Sequence, residues 1–125
     1  MKIAMLLDAA GRATHPEADG TLYVYERRGN DWVVSCTREH LAAGRVTVIS
    51  MRGYLTGMCD WLRDSGCTVL AAQAPRGFGR LVFGRKNIDY WLVDGEPNNY
   101  LDEIEDCYLR REQAAAAAAQ AAATS

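Results

Sequence analysis

Thr21 to Glu39 constrains the fold more than any other stretch. It holds two alternating runs separated by Gly29-Asn30-Asp31. In the first, Leu22, Val24 and Glu26 fall on one side and Tyr23 and Tyr25 on the other. In the second, Trp32, Val34 and Cys36 alternate with Val33, Ser35 and Thr37. Side chains of an extended chain point to opposite faces in turn, and a Gly-Asn-Asp break supplies a reversal. The stretch therefore predicts a β-hairpin. A lone hairpin cannot bury its apolar face in water and needs a neighbour. Lys2 to Asp8 (KIAMLLD) is that neighbour: a nearly continuous apolar run, as expected of a central strand.

The rest of the chain switches period. Val46 to Ser50 is a short apolar run, read as a strand-like lead into a helix. Met51 to Ser65 has apolar residues at 51, 54, 55, 58, 61 and 62, which is helical spacing, and Gly66 stands where a helix stops. Cys67 to Ala72 reads as a buried strand, Pro75 to Lys86 as a short loop-helix, and Ile88 to Val93 as another strand. Asp94 to Pro97 is a turn, with Pro97 suited to a first helical turn. Asn98 to Glu112 is the last helix. The order β-β-β-α-β-α-β-α predicts a single α/β domain with a five-stranded mixed sheet and flanking helices. Of 19 alanines, nine lie in residues 113–125. The expected division is therefore a body over 1–112 and an alanine-rich tail over 113–125, helical or disordered.

Composition narrows the function. The 125 residues carry a net charge of −2, so a general nucleic-acid binder is not expected. The longest apolar runs fall far short of the roughly 18 residues of a membrane span. Met1-Lys2 leads into only five apolar residues, too few for an export signal, so a reducing, cytoplasmic setting is expected. In that setting Cys36, Cys59, Cys67 and Cys107 are not a disulfide framework. None forms Cys-x-x-Cys, and core positions are expected for most.

Three constellations are candidates for chemistry. Arg76-Gly77-Phe78-Gly79-Arg80 follows a strand and opens a helix, as a dinucleotide fingerprint does, but Val82 occupies the third glycine position. Arg76, Arg80, Arg85 and Lys86 have no acid among them. Asp94, Glu96, Asp102, Glu103, Glu105 and Asp106 have no base among them. These stretches read either as solvated faces or as an anion-receiving rim and an acidic docking helix. The loop Ala9 to Gly20 holds Arg12 and His15. In open α/β sheets ligands sit beyond the carboxyl ends of the strands, so His15, Arg12, Arg52 and Arg76 are expected to converge there. Hydrolysis by two metal ions needs several clustered carboxylates. Only Asp8 is well placed, with Glu26 second, so no enzyme is expected.

MKIAMLLDAAGR, TLYVYERRGNDWVV, GCTVLAAQAPRG and IDYWLVDGEPNNYLDEI together resemble the AnfO family of iron-only nitrogenase accessory proteins. The pattern is also similar to the wider group of NifX and the cofactor-carrying domain of NafY. That resemblance implies a ribonuclease H-like α/β fold without nuclease chemistry. It implies a non-catalytic assembly role with nitrogenase components or maturation proteins as partners. In that group a first-loop histidine is implicated in cofactor binding. Gly11-Arg12-Ala13-Thr14-His15 is similar at the histidine, while Pro16 and Glu17 depart from the group's Phe-Gly. The implied cargo is an iron–sulfur cofactor, with His15 as metal ligand and Arg12, Arg76, Gly77, Gly79 and Arg80 around it. A protein-docking chaperone without metal, and a haem or small-molecule redox sensor, are the alternatives.

Overall fold

The computed structural model describes all residues except Val46, Phe78, 97–99 and Ser125, and leaves the side chains of Gly79, Arg80 and Thr124 undescribed. The expectations for Val46, Phe78, Pro97 and Asn98 lie outside the described residues.

Five strands form one sheet: β1 (Lys2–Leu7), β2 (Gly20–Arg28), β3 (Asp31–His40), β4 (Val69–Ala72) and β5 (Asp89–Leu92). The spatial order is β3-β2-β1-β4-β5, with β1 antiparallel to β2 and parallel to β4. The central strand is the apolar one, because β1 must be buried on both faces. Ala4 and Leu6 join Leu22, Val24, Leu55, Met58 and Phe83 on one side. Ile3, Met5 and Leu7 join Val69, Ala71, Leu101 and Ile104 on the other.

Among the described residues, three helices complete the layers: α1 (Val48–Asp64), α2 (Gly79–Arg85) and α3 (Leu101–Thr124). The first two cover one face and α3 covers the other. The start of α1 corrects the strand-like reading of 46–50. The Thr47 hydroxyl accepts from the Ser50 N–H at 3.1 Å, which satisfies a free amide and starts the helix at Val48. Its end follows the expectation. Gly66 has φ +77°, and the Cys67 and Gly66 N–H groups return to the Leu62 and Arg63 carbonyls. β4 is shorter than expected and begins at Val69, two residues after Cys67.

The hairpin forms, but β3 does not keep one alternation. Val24 pairs with Cys36, whereas Tyr25 pairs with Val34, so Ser35 is an extra residue in the ladder. A bulge of this kind flips every side chain beyond it. Trp32 therefore packs with the α3-side core and Cys36 with the α1-side core, rather than both on one face. At the other end of β2, Gly20 is required by a close approach. A Cβ there would stand 2.4 Å from the Leu7 carbonyl oxygen.

The last helix begins at Leu101, within the expected span, and runs unbroken through the alanine-rich tail to Thr124.

Candidate functional site

The carboxyl ends of β1, β4 and β5 lie at one edge, because these strands are parallel. Asp8 comes directly after β1 and shapes the turn beyond it. Its Oδ1 accepts from the Ala10 and Arg12 N–H groups at 2.9 and 3.1 Å. The carboxylate best placed for metal hydrolysis is thus engaged in holding a turn.

Backbone bonds then stitch the loop to the neighbouring strand ends. The Ala13 N–H donates to the Gly95 carbonyl at 2.7 Å, and the Gln73 N–H donates to the Thr14 carbonyl at 3.0 Å. Gly95 has φ +87°, and a Cβ there would lie 3.8 Å from Arg12 Nη2, so the Arg12 side chain crosses this turn. The segment after β4 closes the edge. Gln73 Nε2 donates to Asp94 Oδ1 at 2.9 Å, and Arg76 lines an open cavity of about 420 Å³ with Gln73, Pro75, Val93 and Asp94.

Arg12 and Arg76 are both exposed and make no ion pair among the described residues. His15 is half-buried, with Nδ1 3.2 Å from Glu17 Oε2. A carboxylate only accepts, so Nδ1 carries the hydrogen, and in the neutral ring Nε2 then keeps its lone pair. Glu17 Oε1 is buried with no hydrogen-bond partner among the described residues. Beneath the loop, the Tyr90 hydroxyl donates to the Gln73 carbonyl. Burial pushes the Tyr90 phenol up, and the Glu17 carboxylate adds to that. His40 is fully buried with Nε2 2.6 Å from the Pro16 carbonyl. Burial holds its imidazole below the usual histidine range. Neither Glu17 nor His40 is among the site residues expected from the sequence. The signal for Glu17 is its i+2 spacing from His15; His40 carries none, because its partner is 24 residues away.

Other expectations separate here. Gly77 adopts φ +65° at this edge. Gly79 opens α2, which at seven residues is too short for a dinucleotide helix. The Arg80 side chain lies outside the described residues. Arg52 does not join His15: it faces α2 from α1, in a groove with Leu81 and Arg85.

The acids expected to form a docking helix divide in the same way. Asp102 accepts from Arg27 and from Trp32 Nε1, and Glu105 lies 2.7 Å from Arg27 Nε. These two acids bind α3 to the sheet; Glu96, Glu103 and Asp106 remain exposed. The Trp32 hydrogen bond and the Arg27 guanidinium hold the Asp102 carboxyl below the usual range.

The donor set decides what this edge suits. Among the described residues no three His, Cys, Asp or Glu side chains group to hold a metal ion. Cys59 and Cys67 are buried, and burial pushes the Cys59 thiol up to about 11. The edge thus offers one imidazole nitrogen and guanidinium groups. That set suits an anionic ligand better than a bare metal ion.

The sequence matches the family described as "Iron only nitrogenase protein AnfO" over residues 2–125. The chain belongs to the AnfO family. Membership ties it to the iron-only nitrogenase. A solved structure, "Crystal structure of PH0822", is similar to this AnfO chain with a TM-score of 0.52 and 10% identity, over 83% of this chain and 89% of that one. At that identity the likeness concerns the fold alone. No curated protein matches it significantly. Among the described residues, no helix is long and apolar enough to cross a membrane.

Proposed function

We propose that this AnfO protein is a non-catalytic accessory factor that holds or hands over an anionic iron–sulfur cofactor of the iron-only nitrogenase. The strand order β3-β2-β1-β4-β5 supports a ribonuclease H-like topology, in which the edge described above is the ligand-bearing one. Family membership supports nitrogenase components or maturation proteins as partners.

One observation carries the reading. Glu17 engages His15 Nδ1, so that in the neutral ring the Nε2 lone pair is the one turned to a ligand, on a loop bonded through Thr14 to the segment that bears Arg76. Metal-binding imidazoles are commonly oriented by a carboxylate on the other ring nitrogen. Arg12 and Arg76 would neutralise the anionic cargo, and Gly77 gives the backbone room to approach it. His15, Arg12, Arg76 and the backbone at Gly77 and Gly79 form the holding set, with Arg80 included from its place in the sequence.

The test is anaerobic reconstitution with isolated cofactor. The wild-type protein is expected to retain iron through gel filtration. Glu17→Gln should weaken retention by about tenfold, the usual size of an outer-shell effect, and His15→Ala should weaken it further. Absence of retention, or retention unchanged in His15→Ala, overturns the reading.

A further inference from the structure

We propose that the groove between α1 and α2 docks an acidic, amphipathic helix of another protein. No acid occurs in residues 41–59 or 73–88. These two stretches supply the first half of α1 and all of α2, which pack side by side.

The face they present is ordered. Ile49, Arg52 and Thr56 recur at helical spacing, so they form one stripe along α1. Leu81 and Arg85 do the same on α2. Between the stripes runs a groove of about 220 Å³, lined by Arg52, Thr56, Leu81, Val82, Arg85 and Lys86. The stripes begin with apolar residues: Ile49 is 84% exposed and Leu81 60% exposed. At their other ends Lys86, in the groove lining, pairs with Asp60 at 3.1 Å. Between the ends stand Arg52 and Arg85, both exposed and without an ion pair among the described residues.

Exposed isoleucine and leucine beside unpaired arginines fit one class of occupant. Apolar side chains would cover Ile49 and Leu81, and carboxylates one turn further along would meet two guanidinium forks. A guanidinium matches a carboxylate in geometry as well as charge. A single-stranded nucleic acid would require aromatic stacking platforms, and the groove lining contains none. No residue of the groove lining belongs to the proposed holding set of the His15 edge, so this inference is tested apart from the cofactor reading.

A labelled synthetic peptide with glutamate and leucine at helical spacing is the probe, read by fluorescence anisotropy with the full chain. Saturable binding is expected. R52E/R85E should weaken it by about tenfold or more, and added salt should weaken it too. Leu81→Ser should weaken it with little response to salt. Circular dichroism checks that each variant is folded, and Leu81→Ser carries the test if R52E/R85E is not. Three results overturn the proposal: no binding, equal binding of a peptide with lysine in place of glutamate, or binding unchanged in the folded variants. Attachment to phosphatidylserine vesicles with no response to the peptide would also overturn it, in favour of a membrane surface.

Discussion

His40 donates from Nε2 to the carbonyl of Pro16 at 2.6 Å, joining the end of β3 to the loop that carries His15. A carbonyl only accepts, so Nε2 carries a proton, and the buried Nδ1 has no partner among the described residues. The imidazole is neutral in the folded protein, because burial disfavours its charged form.

That neutrality predicts a pH response. The folded-state pKa lies below the unfolded value of about 6.5, so the unfolded chain takes up a proton first. Stability is unaffected above that value. It should fall as pH drops below it, by up to about 1.4 kcal/mol per pH unit, until the folded imidazole also protonates. Thermal melts between neutral and mildly acidic pH check this. His40→Gln should remove that part of the slope; an unchanged slope would place the titrating group elsewhere.

The buried thiols give a second expectation. With the Cys59 thiol raised to about 11, only about one molecule in a thousand carries a thiolate at pH 8. Native protein should label slowly at Cys59 and Cys67 with a disulfide reagent and faster at the half-buried Cys36 and Cys107. Denaturant should abolish the difference. Rapid native labelling of Cys59 would mean that α1 does not hold this side chain against the sheet.

The tail yields a third. Residues 113–123 are exposed throughout, although helical. Alanine favours helix intrinsically but buries little here, so truncation after Glu112 should change stability by no more than about 0.5 kcal/mol. The far-UV helical signal should fall while the melting midpoint holds. A large drop in the midpoint would show that the tail contributes to the folded body.

These elements differ in how well the sequence displays them. The central strand, the hairpin and the 51–65 helix are visible because each buries a regular apolar pattern. The bulge at Ser35 is invisible, since an extra residue leaves the alternation of types intact while turning the side chains over. The start of α1 is signalled by Thr47 with Ser50 three residues later, yet the apolar residues around them favour a strand. Ile49 belongs to that apolar run, yet it is 84% exposed.

The site divides the same way. Arg12, His15 and Arg76 stem from a general rule about strand ends in parallel sheets. Glu17 is found only by asking what orients the histidine. The acids of α3 look free in the sequence because Arg27 and Trp32, their partners, lie about 70 residues away. Long-range pairing of this kind has no local sequence signature.

Iron content and visible absorption of the protein isolated anaerobically from molybdenum-starved, nitrogen-fixing cells test the cofactor-holding role most directly. Wild-type protein should carry iron with broad visible absorption, and R12E/R76E, folded but with both edge cations reversed, should carry neither. A colourless, iron-free wild-type protein, or equal iron in R12E/R76E, would contradict it.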